Sequence, residues 1–281
     1  MRRVSIGVQS FVEREVRAVG RAQRTAQVHE ALGNIRAAGV PTLNVDLIYG
    51  LAHQTPESWA ASLREALVYA PEELYLYPLY VRPLTGIERT GRSWNDERLD
   101  LYRAGRDLLL ASGYEQVSMR MFRRSDAPRE DGPGYCCQSD GMVGLGCGAR
   151  SYTRGLHYSS EYAVGAVGVR DILSAYVART DGDFDVAAHG VRLGEDERRR
   201  RFVLQSLLQA EGLDLGAYRA RFGGDACAHL PQLALLVEAG LATLGGNALR
   251  LTAGGLELSD AIGPWLYSDA ARSLAREYEW R

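Results

Sequence analysis

Three runs of strand length, RVSIGVQS (Arg3–Ser10), TLNVDLIYGL (Thr42–Leu51) and LYLYPLYV (Leu74–Val81), are almost continuously apolar, and stretches of helical periodicity separate them. Strands without polar alternation must be covered on both faces, and strand–helix–strand order places the covering helices between parallel strands. Thr25–Ala38 sets Val28, Leu32 and Ile35 on one helical face, and Thr55-Pro56 offers an N-cap and a first-turn proline for a helix to about Tyr69. Asn95 is placed to cap Asp96–Ser112, whose Leu99, Tyr102, Leu108 and Leu109 keep a helical stripe, and YEQVSMRMF after Gly113 reads as a fourth strand. The pattern predicts an α/β half-barrel or open sheet of mainly parallel strands.

Beyond this the pattern changes. Arg123–Gly134 is polar with two prolines and two glycines and reads as a loop. The glycine-rich YCCQSDGMVGLGCGARSYTRG follows, either a bulged edge strand in which Gly144, Gly146 and Gly148 relieve crowding, or a backbone surface that closes over a ligand. It lacks GxGxxG spacing, so a dinucleotide fingerprint is excluded. A second module starts near Gly194, dividing the chain into 1–193 and 194–281. It contains an amphipathic helix over Glu195–Glu211, a shorter helical segment around Leu213–Phe222 and a helix from His229 to Ala239. A hairpin through Gly245-Gly246-Asn247 and a final helix capped by Thr252 complete a winged-helix-like α+β domain. Leu233–Ala242 carries Glu238 and no base-reading Arg or Asn, which favours packing or a lid over DNA binding.

A formal net charge of −2 gives no global attraction to nucleic acid or acidic lipid, although Arg198–Arg201 forms a local basic patch. No window of about 20 apolar residues exists, so the expectation is a cytoplasmic protein with no membrane partner. Cys136, Cys137, Cys147 and Cys227 have neither disulfide-framework nor metal-ligand spacing and read as ordinary thiols. The five histidines are scattered, which points to packing or surface roles.

Three polar residues stand out against their surroundings. Gln9 lies at the carboxyl end of a buried strand, where α/β folds place ligands, and its amide can both donate and accept; satisfying a turn is the alternative. Asp46 sits among aliphatic residues in Val45-Asp-Leu-Ile, so its carboxylate needs ribose hydroxyls or a structural Arg as donors. Arg21 after Gly20 can clamp a carboxylate, or be a solvated loop residue.

Taken in order, SIGVQSF, GRAQRT, NVDLIYGL with the following QTPESW, LYLYPLYV, GMVGLGCGARSY and LRLTAGGLELSDAI resemble the oxygen-independent coproporphyrinogen III oxidases and their relatives among the radical S-adenosylmethionine enzymes. The resemblance covers nearly the whole chain. It implies a partial (β/α) barrel with a C-terminal winged-helix segment, Gln9 and Asp46 on the ribose of S-adenosylmethionine, and Arg21 on its methionine carboxylate. It places Leu79, Tyr80 and Arg150 along a second cofactor or substrate pocket. Family members use a [4Fe–4S] cluster, reduced by a protein such as flavodoxin or ferredoxin, to generate a 5′-deoxyadenosyl radical.

The chain departs from that pattern in specific places. The CxxxCxxC loop, the glycine-rich strand and the acidic strand of the family all belong upstream of the first run here, and none of the four cysteines matches a cluster position. A reading frame continuing upstream of Met1 is the expectation, and a truncated relative the alternative. Gln23 replaces the usual histidine after GR, Ala52 replaces the proline after YGL, and LYPLYVRP differs from the oxidase proper. The resemblance therefore implies a radical S-adenosylmethionine oxidoreductase acting on a porphyrinogen, a heme-related tetrapyrrole or another product, with a heme chaperone or non-catalytic heme-binding relative as the competing reading. Arg82, Arg120, Arg123 and Arg150 are the candidates for holding propionates.

Overall fold

The computed structural model describes residues 1–21, 23–80, 97–128, 136–161, 166–187 and 189–277. Arg82, Asn95 and Asp96, named above, lie outside them. In chain order the elements are β1 (Arg3–Gln9), α1 (Glu13–Ala18), α2 (Thr25–Ala37), β2 (Thr42–Tyr49), α3 (Pro56–Leu67), β3 (Glu73–Pro78), α4 (Arg98–Ala111), β4 (Tyr114–Gln116) and β5 (Met121–Arg124). There follow α5 (Cys137–Asp140), β6 (Arg150–Tyr152), β7 (Leu156–Ser159), α6 (Ala166–Val177), β8 (His189–Arg192) and α7 (Glu195–Leu207). The last part holds β9 (Leu213–Asp214), α8 (Leu215–Phe222), α9 (Ala226–His229), α10 (Gln232–Glu238), β10 (Ala242–Gly245), β11 (Ala248–Leu251), α11 (Ala253–Glu257), α12 (Ser259–Trp265) and α13 (Asp269–Glu277).

Two compact units result, one of Met1–Val81, Thr90–Arg129 and Ser206–Gly263, the other of Arg82–Arg89, Glu130–Gln205 and Pro264–Arg281. In the first, a five-stranded sheet runs in the order β1-β2-β3-β5-β4. The β1–β2 and β2–β3 pairs are parallel, and β3–β5 and β4–β5 are antiparallel. The expected single fourth strand is thus a hairpin: Ser118 Oγ accepts from the Met121 amide at 3.1 Å and turns the chain where no Gly, Pro or Asn announces it. Along the parallel strands, Leu43, Val45, Leu47, Leu74 and Leu76 are fully buried and pack with Val28 and Leu32 of α2, Trp59 and Leu63 of α3, and Leu101, Tyr102 and Leu109 of α4. Each such Leu stabilises the fold by about 1.5–3 kcal/mol relative to exposure. The α3 start follows the sequence expectation, with Pro56 in the first turn and Thr55 and Ser58 exchanging capping hydrogen bonds.

Within the same unit, β9, β10 and β11 form an antiparallel sheet in the order β10-β11-β9, and Thr252 Oγ1 caps α11 by accepting from the Gly255 amide at 3.1 Å. The helix expected over His229–Ala239 is divided into α9 and α10 at Leu230-Pro231, and Leu213–Asp214 is strand instead of helix. Glu257 fixes this segment to α4, accepting from Arg103 Nε and Nη2 at 3.0 and 2.5 Å and from Arg106 Nη1 at 3.1 Å.

In the second unit, β6, β7 and β8 form an antiparallel sheet in that order. Gly144 answers the crowding expectation, since a Cβ there would lie 2.4 Å from the Arg150 carbonyl oxygen. Gly146 and Gly148 instead serve backbone shape, with φ of +104° and +74°. Two of the four cations of the Arg198–Arg201 patch are paired, Arg199 with Glu195 and Arg200 with Asp196 at 2.8 Å, and Arg201 lies against His157. No described helix is long and apolar enough to cross a membrane.

Candidate functional site

In a parallel sheet, residues paired across strands share a face, so the register Gly7↔Asp46↔Tyr75 places these three side by side opposite the apolar core. Two residues on, Ile48↔Tyr77 continues the same face. The result is a polar and aromatic surface on a sheet whose other face is core.

The amino end of this sheet is electrostatically closed. Glu72 accepts from the Leu43 amide at 2.8 Å and pairs with Arg36 at 3.0 Å and Arg124 at 3.4 Å. Glu73 pairs with Arg3 at 2.8 Å and Arg123 at 3.7 Å. The carboxyl end differs. At β1 the register slips between Gly7 and Gln9, so Val8 and Gln9 together oppose Leu47, and Gln9 adopts φ +67°. A left-handed backbone costs a non-glycine residue roughly 1–2 kcal/mol, and here it folds the amide back over Gly7. A Cβ on Gly7 would lie 2.8 Å from Gln9 Nε2 and 3.6 and 3.7 Å from the two terminal nitrogens of Arg21. Glycine at position 7 thus opens a cradle in which an amide and a guanidinium converge, with Asp46 on the neighbouring strand.

Asp46 is half-buried. Burial pushes its pKa above the usual carboxylate range, opposed by the hydrogen bond from Asn44 Nδ2 at 2.8 Å and by the Arg3 cation. Asn44 Oδ1 is buried without a partner among the described residues. An acceptor-bearing carboxylate, an unpaired amide oxygen, an amide that donates and accepts, and a guanidinium together match the hydroxyls, amine and carboxylate of an adenosyl amino acid. The residues therefore fit S-adenosylmethionine. They do not fit a cluster: Cys136 is exposed, Cys137, Cys147 and Cys227 are half-buried, and no group of three potential ligands occurs among the described residues.

Of the second set of expected residues, Leu79 and Tyr80 belong to the first unit and Arg150 to the second. Leu79 is buried, its amide donating to the Tyr49 carbonyl at 2.8 Å and its carbonyl accepting from Arg98 Nη1 at 3.2 Å. Tyr80 is exposed and hydrogen-bonds Asp260 Oδ2 at 2.5 Å, while Arg120 Nη2 donates to its phenol at 2.6 Å. Burial first, then the Asp260 carboxylate, push the Tyr80 phenol up to about 12. Arg150 is exposed at the start of β6 in the other unit. There the glycine-rich segment borders a cleft of about 130 Å³ with Tyr158, Tyr176, Arg179 and Phe184. Of the basic residues considered for propionates, Arg120 and Arg123 already hold internal partners, Asp260 and Glu73.

Two supports of the site were not anticipated. Gln23, where the family pattern has histidine, donates from Nε2 to the Val8 carbonyl at 2.8 Å and holds the end of β1. Glu15 is fully buried and accepts from Ser10 Oγ and Ser58 Oγ, both at 2.6 Å, and from Gln54 Nε2 at 3.4 Å. Gln54 in turn accepts from the Gly50 amide at 2.7 Å, so one carboxylate joins the carboxyl ends of β1 and β2. The only signals were glutamates in FVEREV and the polar QTPES after β2.

Comparison with known proteins agrees with this frame. Residues 193–258 match the HemN C-terminal domain. The chain is 27% identical over 268 residues to the oxygen-independent coproporphyrinogen III oxidase of Bradyrhizobium diazoefficiens, covering 89% of this chain and 58% of the relative. It is 31% identical over 156 residues to the heme chaperone HemW of Escherichia coli, covering 52% of this chain and 39% of that one. The structure of coproporphyrinogen III oxidase (HemN) from Escherichia coli, described as a radical SAM enzyme, superimposes with TM-score 0.75 at 26% identity, covering 95% of this chain and 64% of the other. The chain spans roughly half the length of the curated relatives it matches, between 39% and 58% for the two named.

Fold and sequence together define the class, an α/β chain with a parallel sheet and a HemN-type C-terminal segment. Its similarities to the HemN C-terminal domain, to oxygen-independent coproporphyrinogen III oxidases and to the HemN structure support a place in a HemN-like radical S-adenosylmethionine family.

Proposed function

We propose that the polar sheet face binds S-adenosylmethionine, Gln9 and Asp46 meeting the ribose and Arg21 the methionine carboxylate, in a radical S-adenosylmethionine oxidoreductase of the coproporphyrinogen oxidase type acting on a tetrapyrrole. The observation that carries this is the cradle over Gly7, where Gln9 and Arg21 converge beside Asp46. When bound, the cofactor supplies a radical precursor; the residues here bind and orient it. The five-stranded sheet is read as part of a barrel, and 194–281 as a winged-helix-like module. The described residues hold no ligand set for a cluster.

Calorimetric titration with S-adenosylmethionine tests the binding site: Arg21→Ala and Gln9→Ala should each weaken binding, and unchanged affinity in both rejects the assignment. Protein expressed from the full genomic reading frame, reconstituted anaerobically with iron and sulfide and reduced with dithionite, tests the activity. Release of 5′-deoxyadenosine with coproporphyrinogen supports it, and its absence rejects it.

A second reading, a heme chaperone, draws on the 31% identity to HemW over 156 residues. Stoichiometric heme transfer to an apo-acceptor without cofactor cleavage would select it.

A further inference from the structure

The same sheet face leads from Asp46 toward a second charged group. Tyr75 pairs with Asp46 in register, and Tyr77 stacks beside Tyr75 with ring centroids 5.9 Å apart at 16°. Arg120 lies 5.7 Å from the Tyr77 ring centre and 5.5 Å from that of Tyr80. Two nearly parallel phenol rings followed by a cation framed between ring faces offer an aromatic surface ending in a positive charge.

The cation is already touched by a carboxylate, but in an unusual way. Arg103 meets Glu257 through Nε and Nη2 together, the two-pronged geometry a guanidinium prefers. Arg120 instead uses Nη2 alone for both Asp260 Oδ1 and the Tyr80 phenol, and its other N–H groups have no partner among the described residues. The pair is about one-third exposed on both sides, so solvent screens it. Glu257 docks this segment independently through three hydrogen bonds to α4. The Asp260 contact is thus not the segment's sole tie among the described residues, and it leaves the guanidinium fork open.

We propose that Arg120, framed by Tyr77 and Tyr80, is a binding subsite for the carboxylate of a planar conjugated acid, and that Asp260 is a resident carboxylate which the ligand displaces. The ring of such an acid lies on Tyr75 and Tyr77, and its carboxylate takes the open prongs of Arg120. Asp260 lowers the affinity for weak or neutral ligands by occupying the cation, which selects for acids that reach the platform and the cation together. That the acid is a planar tetrapyrrole bearing propionates, a porphyrin or a heme, rests on the tetrapyrrole readings proposed above; the subsite itself does not.

Fluorescence titration of the full chain with 1-pyrenecarboxylate and, as a neutral control, 1-pyrenemethanol tests the subsite. Asp260→Asn should bind the carboxylate about five- to tenfold more tightly, the factor by which a competing internal partner reduces apparent affinity, and leave the alcohol unchanged. Arg120→Gln should abolish the preference for the carboxylate. Asp260→Ser repeats the first arm with a smaller residue, and circular dichroism with thermal melts establishes that each variant is folded. Equal affinities in wild type, Asp260→Asn and Asp260→Ser, an equal gain for the alcohol, or no binding of the carboxylate by any variant overturns the proposal. Coproporphyrin III in a parallel titration separates the two claims. Pyrene dependence without porphyrin binding keeps the subsite and removes the tetrapyrrole, whereas porphyrin binding indifferent to Arg120 and Asp260 does the reverse.

Discussion

Placing a methyl group on Gly7 is the sharpest probe of the cradle. The added Cβ would lie 2.8 Å from Gln9 Nε2, whereas the Arg21 nitrogens at 3.6 and 3.7 Å are already in ordinary contact. Only the amide must retreat, by about 0.6 Å, which exceeds the spread of normal hydrogen-bond lengths. Losing one neutral hydrogen bond costs about 0.5–1.5 kcal/mol, or roughly a two- to twelvefold rise in the Kd for S-adenosylmethionine. The fold should barely respond. Gly7 does not need positive φ, so Gly→Ala recovers about 0.4–1 kcal/mol of unfolded-state entropy, comparable to the rotamer cost of about 0.5–1.5 kcal/mol at Gln9. Calorimetric titration of Gly7→Ala, Gln9→Ala and the double variant measures this. The two losses should not add, because both act through one amide. If Gly7→Ala weakens binding as much on the Gln9→Ala background as on wild type, the methyl acts elsewhere and the reasoning fails.

Asp46→Asn should raise the melting temperature at pH 7 and weaken nucleoside binding. The folded pKa is raised by burial, so the folded state holds its proton more tightly and loses stability as pH rises through the range above 3.8; a lower melting temperature would contradict this. Glu15→Leu strips the acceptor from Ser10, Ser58 and Gln54 and should cost about 2–3 kcal/mol in urea unfolding, and a loss near zero would make the network incidental. Gly105→Ala drives a Cβ to 2.8 Å from Trp59 Nε1, whose indole is buried and donates to the Leu101 carbonyl at 2.8 Å. An overpacking cost of about 1–3 kcal/mol should outweigh roughly 1 kcal/mol of helix propensity, and an unchanged or higher melting temperature would refute it. Burial first, then Arg201, hold the His157 pKa at about 4 against an ordinary 6.5, so its contribution is complete above 6.5 and is lost as pH falls toward 4. Protection factors in β6 and β7, taken relative to the intrinsic exchange rate at each pH, should therefore fall between pH 7 and pH 5, and equal protection at both would exclude the coupling.

Much of the frame was legible because it is local. Continuous apolar runs marked β1, β2 and β3, helical spacing marked α2, and Thr55-Pro56 and Thr252 marked helix starts through chemistry that acts within four residues. The hairpin of β4 and β5 was missed because Ser118 closes its turn with a side chain, leaving no Gly or Pro punctuation. Pro231 was visible and should have divided the helix after His229.

The sequence by itself determined which residue types lie at strand ends and which helices cover the apolar face, since hydrophobic period and capping are properties of neighbours along the chain. Which of Glu13 and Glu15 enters the interior, and where Arg120 finds its carboxylate, only the tertiary structure decided. Glu15 is buried among hydroxyls from Ser10 and Ser58, and Arg120 meets Asp260 across 140 positions of chain. Such encounters join elements far apart in the chain, and the cradle itself depends on strand register and the slip after Gly7, since a shift of one residue would turn Gly7 and Asp46 to the opposite face of the sheet.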